Sequence, residues 1–329
     1  MEAEVTRSKL PVPPHTAVIL FRDSSRGKDT YTQPLLEDHD AVESLAVLQH
    51  QDLLTTQTID AIVELHTSDT PFAGLVFTSQ NAVEALGRAL EKWTASIDSA
   101  KKERWDGFIS LPTFVVGGAT GAACRSILHL DVRGEVSGGA SAMLPMITEF
   151  CTQYKTQYGD KPRLVFFCGD QRRDTLPDGL HNAAELLEVV SYATVGRDPL
   201  DTRHDLIQAL ARIRATCLAK DRTHILPLPA ASRDILIWMV LFSPSGVRVV
   251  APLLADLESE HALYPTYAAD HARGDLSVTN VSSVMYGLAA IGATTRDEIV
   301  AQLRPGFVIL AKEPNVQGIR KSICEAQVG

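Results

Sequence analysis

Apolar residues in this chain gather in short unbroken runs, and most runs give way to a stretch whose apolar residues recur at three- and four-residue spacing. The runs are Ala17-Val-Ile-Leu-Phe21, Leu75 to Phe77, Thr113 to Val116, Leu164 to Phe167, Trp238 to Phe242, Leu288 to Ile291 and Val308 to Ala311. A run without alternation suits a strand buried on both faces. The helical spacing follows at about Asn81 to Trp93, Thr120 to Leu128, Ser141 to Tyr154, Thr295 to Leu303 and Val316 to Cys324. Strand then helix, repeated, predicts an α/β protein with parallel sheets covered on both sides.

The pattern also repeats on a longer scale. Gly74-Leu-Val-Phe-Thr-Ser-Gln-Asn-Ala-Val-Glu-Ala-Leu86 aligns with Val240-Leu-Phe-Ser-Pro-Ser-Gly-Val247, so that Ser79 falls on Ser243 and Val83 on Val247. Val116-Gly-Gly-Ala-Thr120 aligns with Ile291-Gly-Ala-Thr-Thr295 in the same way, Gly117 on Gly292 and Thr120 on Thr295. Two related βα domains are expected. Residues 1 to 16, with Pro11, Pro13 and Pro14, read as a disordered or extended leader. The stretches 93 to 106, 200 to 222 and 256 to 283 read as peripheral helices and insertions without assignable chemistry. Leu45 to Gln51 and Glu188 to Val195 read as short extended runs flanking the central region.

A length of 329 residues is more than one core usually supports. An apolar share of 45% with 22% charged residues describes a globular chain. The net charge of −9 argues against general nucleic-acid or membrane-surface binding, which needs a basic face. Cys124, Cys151, Cys168, Cys217 and Cys324 are odd in number and show no Cys-x-x-Cys pair, so they read as reduced thiols. The N-terminus lacks the apolar run of a signal peptide and the longest apolar run is too short for a membrane span, which makes the cytosol the expected compartment.

Candidate chemistry is limited by what is missing. No His-x-x-x-His pair or His/Cys spacing suggests a metal, and no dinucleotide fingerprint, phosphate loop or Gly-x-Ser-x-Gly elbow occurs. What remains are hydroxyl turns at strand ends: Thr78-Ser79, Thr120, Ser243 to Ser245, and Thr294-Thr295. They suit two roles, helix N-caps or donors to an anionic ligand at the carboxyl ends of the strands. Arg172-Arg173, at another strand-to-helix turn, suits either a solvated pair beside Asp170 and Asp174 or an anion contact.

These motifs together resemble the uroporphyrinogen-III synthase family, of the fungal, eukaryotic type. Its marks appear in order: Gly-Leu-Val-Phe-Thr-Ser-Gln-Asn-Ala-Val at 74 to 83, Val-Val-Gly-Gly-Ala-Thr at 115 to 120, Arg-Arg-Asp-Thr-Leu-Pro at 172 to 177, Tyr-Ala-Thr at 192 to 194, Phe-Ser-Pro-Ser-Gly-Val at 242 to 247 and Ala-Ala-Ile-Gly-Ala-Thr-Thr at 289 to 295. Two departures stand out. Ala293 occupies a position where the family often has proline, and the region after Asp256 is longer than usual.

The resemblance implies two flavodoxin-like parallel-sheet domains joined by a two-stranded β connection. Domain one would comprise 1–40 plus 198–329 and domain two 41–197, with connectors at about 45–51 and 188–195. It implies a monomeric lyase that cyclises hydroxymethylbilane to uroporphyrinogen III with loss of water and inversion of the last pyrrole ring, without metal or organic cofactor. A transient contact with the preceding or following enzyme of the pathway stays open. The substrate-binding residues expected are Thr78, Ser79, Gly117, Thr120, Gly139, Ala140, Gly169, Arg173, Ser243, Ser245, Gly246, Thr294 and Thr295. Tyr192, on the return connector, is the expected donor to the departing hydroxyl, and its other role is that of a packed linker tyrosine. Two alternatives of different class are a hinged two-domain protein that binds a small anion without chemistry, and a flavodoxin-like enzyme holding a mononucleotide.

Overall fold

The computed structural model of the protein describes residues 15–23, 29–95, 97–221, 235–260, 264–265, 284–303, 305 and 308–328. Most of the expected leader and most of the insertion at 256 to 283 lie outside them. In chain order the strands are β1 (His15–Phe21), β2 (Ala41–Ser44), β3 (Leu48–Asp52), β4 (Phe72–Phe77), β5 (Thr113–Val115) and β6 (Val132–Arg133). They continue with β7 (Arg163–Gly169), β8 (Glu185–Gly196), β9 (Ile235–Leu241), β10 (Tyr264–Pro265), β11 (Val284–Ala290) and β12 (Val308–Leu310). The chain divides into unit 1, Met1–Gln49 with Gly196–Gly329, and unit 2, His50–Val195.

Unit 1 holds the sheet β2-β1-β9-β11, with β12 and the two-residue β10 both paired to β11. Every one of these pairings is parallel. Because β-strand side chains alternate between faces, the unbroken apolar runs serve two cores at once. Ala17, Ile19 and Phe21 join Ile235, Ile237, Met239 and Leu241 on one face. Val18 and Leu20 join Leu236, Trp238 and Val240 on the other.

Unit 2 holds β3-β8-β7-β4-β5-β6, and β8 through β6 are parallel throughout. Leu75 and Phe77 face Val165 and Phe167 in one core, where the Phe77 and Phe167 rings stack at 4.9 Å. Val76, Phe114, Phe166 and Cys168 build the other against the helix Ala140–Tyr158.

The two sheets share one strand order. Unit 1 reads β2-β1-β9-β11-β12, which in chain order is 2-1-3-4-5, the doubly wound order of flavodoxin-like sheets. Unit 2 reads β8-β7-β4-β5-β6, the same arrangement entered at its third strand, because β7 takes the place that β1 has in unit 1. The order reverses between β1 and β9 in unit 1, and between β7 and β4 in unit 2.

The chain crosses from unit to unit along β3 and β8, which are neighbours in the sheet. Leu53 donates its N–H to Ser191 O and Arg197 donates to Val47 O, each at 3.0 Å. Numbers rise on one strand as they fall on the other, so this pair is antiparallel. Against the domain limits expected from the sequence, β2 pairs with β1 and puts residues 41 to 44 in the sheet of unit 1.

Two segments expected to be peripheral are structural instead. The helix Pro199–Asp221 buries Leu206, Ala209, Ile213 and Cys217, a narrow stripe at three- and four-residue spacing along an otherwise polar helix. In the helix Ser99–Ile109, Trp105 and Phe108 are buried, and Trp105 meets Trp93 at 5.7 Å.

Candidate functional site

Open α/β sheets bind ligands outside the carboxyl ends of their strands at the point where the order reverses. In unit 2 those ends are Thr78-Ser79 after β4 and Gly169 at the end of β7. Around them lies a cavity of about 560 Å³, lined by Thr78, Ser79, the turn Gly138–Ala142, Gly169, Arg172, Arg173, Thr175 and Tyr192. No acidic side chain is among its lining residues.

Helix starts supply much of this wall. Ser79 is extended and caps the helix Gln80–Thr94, its Oγ accepting the Asn81 N–H at 3.2 Å. Gly139 starts the helix Ala140–Tyr158, and no side chain caps it. Its first backbone N–H groups therefore lack a side-chain acceptor at the positive end of the helix dipole. Gly117 starts the helix Gly118–Leu128, likewise without a side-chain cap, at φ +80°, a conformation that favours glycine. Val116 rather than Gly117 reaches the cavity lining.

Tyr192 is placed by a break in strand register. Cys168 pairs with Val190, but Gly169 pairs with Tyr192, so Ser191 is skipped in a bulge. A bulge re-aims the residue beside it, and here it lays the Tyr192 ring over Gly169. A Cβ on Gly169 would fall 2.7 Å from the ring's Cζ, so only glycine leaves room for the phenol. The Tyr192 hydroxyl donates to Ser79 Oγ at 3.0 Å. That oxygen then accepts from both Tyr192 and Asn81, which fills its two lone pairs and leaves its own proton free to donate.

His50 supports the same group, and no sequence signal marks it. Its ring meets Tyr192 edge-on, with centroids 5.1 Å apart and planes at 87°. Asn81 Nδ2 lies 3.0 Å from His50 Nε2, and Thr194 Oγ1 lies 3.3 Å from Nδ1. With the amide oriented this way, Nε2 accepts and Nδ1–H donates, an assignment made from the network.

The two arginines expected here separate. Arg172 is bound by Glu188 and Asp174. Arg173 is exposed, lines the cavity and has no carboxylate partner among the described residues. Cys168, on β7 just before Gly169, offers no nucleophile, since burial pushes its thiol up to about 11.

At the strand ends of unit 1, Ser243 caps the helix Pro244–Ser259 by accepting the Gly246 N–H at 3.1 Å. Gly246 is buried, Ser245 half-buried and Thr294 exposed. Thr120 and Thr295, each in the first turn of its helix, are buried, at 4% and 2% exposed.

The structure also gathers groups that spacing does not reveal. His15, Asp40 and Cys217 lie with ligand atoms within 4.8 Å of one another. Asp40 already accepts from Lys220 Nζ at 2.8 Å and from the Thr16 N–H at 3.2 Å, so its charge is met without a metal ion. No helix among the described residues is long and apolar enough to cross a membrane.

Comparison with known proteins adds the family. The sequence model of uroporphyrinogen-III synthase HemD matches residues 33–271. The uroporphyrinogen-III synthase of Saccharomyces cerevisiae (strain ATCC 204508 / S288c) is 26% identical over 185 residues, which are 55% of this chain and 58% of that protein. The match thus spans less than two thirds of that relative. The crystal structure of uroporphyrinogen-III synthetase from Helicobacter pylori 26695 aligns with a TM-score of 0.45 at 12% identity, over 94% of this chain and 98% of that one. A mutant uroporphyrinogen III synthase from the extremely thermophilic bacterium Thermus thermophilus aligns with 0.42 at 12%, over 95% and 98%. With the family's sequence model covering well over half of its length, the chain belongs to the uroporphyrinogen-III synthase family.

Proposed function

We propose that the protein cyclises hydroxymethylbilane to uroporphyrinogen III and that the cavity of unit 2 holds part of this substrate. The observation that carries the reading is the hydroxyl pair Tyr192–Ser79, which faces a cavity walled by helix N-termini, hydroxyls and a free arginine, with no acid lining it. Such a wall suits a ligand with eight carboxylates, because neutral N–H and O–H donors hold anions without requiring a basic protein.

The substrate is primed to react. Its pyrrole nitrogen expels the terminal hydroxyl, which leaves as water once protonated, and the resulting azafulvene is attacked by a carbon of the last ring. Attack by the unsubstituted carbon gives the type I ring; attack by the substituted carbon gives a spiro intermediate that rearranges to type III. Tyr192 supplies the proton, directly or through Ser79, which gives up its own proton as it takes that of the phenol. The proton lost when the last pyrrole regains aromaticity restores the phenol. The protein's larger task is steering, which is a matter of position and fixed dipoles more than of strong acids.

Incubating the full chain with freshly prepared hydroxymethylbilane and separating the product isomers tests this. Mainly type III, formed without added metal and in the presence of a chelator, is expected. Type I alone at the spontaneous rate, from folded protein, overturns it.

A further inference from the structure

The reversal point of unit 1 carries a cation that the hydroxyl motifs do not predict. The chain leaves β1 at Phe21, and the guanidinium carbon of Arg22 lies 4.6 Å from the centroid of the Tyr31 ring and 5.5 Å from that of Phe242. The two rings meet edge to face at 5.2 Å and 78°. Phe242 follows β9 directly and precedes the cap Ser243. Arg22 therefore sits between the ends of β1 and β9, in a clamp within cation–π range.

Arg22 combines partial burial with the lack of a paired acid among the described residues. Among the described residues, Arg88, Arg125, Arg163, Arg172, Arg197, Arg203, Arg212, Arg248, Arg296 and Arg320 are ion-paired. Arg104, Arg133, Arg173 and Arg214 have no such pair but are exposed, whereas Arg22 is half-buried. Asp29 feels the charge of Arg22 but does not bond to it. That carboxylate instead accepts the Thr32 hydroxyl and the N–H groups of Tyr31 at 2.9 Å and Thr32 at 3.3 Å.

Withdrawing a charge from water without an opposite charge in contact is unfavourable. The two ring contacts offset part of that cost and hold the guanidinium at the strand ends, but an aromatic ring offers no carboxylate or carbonyl oxygen to its N–H groups. A guanidinium fork with uncommitted donors can take a carboxylate bidentately.

We propose that Arg22, held by Tyr31 and Phe242, anchors a carboxylate of the ligand in unit 1. The identity of that ligand as an acidic tetrapyrrole rests on the function proposed above. The clamp makes Arg22 a specificity-determining residue for acidic substituents, and it donates no proton to the reaction.

The test uses the full chain as wild type, R22Q, R22K and R214Q, the last removing an exposed unpaired arginine elsewhere in unit 1. Two constants are read: KM for hydroxymethylbilane, and the dissociation constant of uroporphyrin III, a stable octacarboxylate, from fluorescence quenching. R22Q is expected to weaken both by about 10- to 100-fold, with kcat changed less, while R214Q follows wild type. R22K keeps the charge but not the fork and falls between. Should R22Q fail to fold, R22K with an unchanged melting temperature reads the same constants.

R22 variants matching R214Q in both constants overturn the proposal while leaving the function standing, provided wild type makes type III. If wild type binds uroporphyrin III but makes no type III, and R22Q binds it more weakly, the function falls and the anchor stands. Wild type that neither turns over nor binds overturns both.

Discussion

In unit 2 the chain leaves β4 through Ser79, whose Oγ takes the Asn81 N–H and the Tyr192 hydroxyl. In unit 1 it leaves β9 through Ser243, whose Oγ takes the Gly246 N–H. Both serines are extended and both cap the helix that follows. They differ in what the strand order brings alongside. Next to Ser79 the bulge in β8 delivers a phenol. Near Ser243 the segment after β2 delivers Val47, whose Cγ2 would lie 3.6 Å from a Cβ on the adjacent Gly246. Matching caps on matching sheets thus become chemically different places: one has a hydrogen-bonded hydroxyl pair beside it, the other an apolar neighbour in Val47 and the cation Arg22. A repeated motif fixes where a helix starts, and the residues from other strands decide what its end can do.

The largest effect should come from breaking the phenol's seat. Gly169→Ala places a methyl group into the Tyr192 ring, so turnover should drop at least as far as in Tyr192→Phe, which removes the hydroxyl alone. For Tyr192→Phe the loss should lie near or below the low end of the ~10²–10⁴-fold typical of general acid catalysis, because the pyrrole nitrogen already drives the hydroxyl out. Product should remain type III. Single-turnover rates with isomer separation check both variants; wild-type turnover in Tyr192→Phe would return the residue to a packing role.

The sharpest test of the comparison is the pair Ser79→Ala and Ser243→Ala. Each loses a cap and should lose roughly 0.5–2 kcal/mol of stability. Only Ser79→Ala should also lose turnover at temperatures where both variants are fully folded. Denaturant melts run beside kinetics decide it, and equal turnover in the two variants would reduce Ser79 to a cap.

A smaller difference should separate the neighbouring arginines. Arg173→Gln should raise KM because its guanidinium is free to meet the substrate. Arg172→Gln should act mainly on stability, since it leaves Glu188 and Asp174 without their shared cation. Reversed outcomes would mean that the ion pairs of Arg172 open when substrate binds.

The least effect is expected at Thr120. Its side chain is buried, so Thr120→Val should leave KM unchanged in steady-state assays, whereas Thr78→Val, at the cavity wall, should raise it.

Much of this architecture is legible in the residues themselves. The double-sided strands follow from unbroken apolar runs such as Ile235 to Leu241, and the helix starts follow from Ser79 and Ser243, because periodicity and capping are settled by neighbours within a few positions. The internal repeat announces two related units for the same reason. The remainder depends on contacts between distant parts of the chain. Tyr192 and Ser79 are 113 positions apart, and they meet because β7 stands between β8 and β4 and a skipped Ser191 turns the ring over Gly169. Thr120 and Thr295 look like Thr78 in sequence but are buried, since the exposure of a residue in the first helical turn is set by what packs against it. Arg22 and Arg172 are ordinary surface arginines by composition; Tyr31 with Phe242, and Glu188 with Asp174, make one a clamped free cation and the other a neutralised one. Local order is written in adjacent residues, while the availability of a hydroxyl or a charge is decided by the strands and loops that folding places beside it.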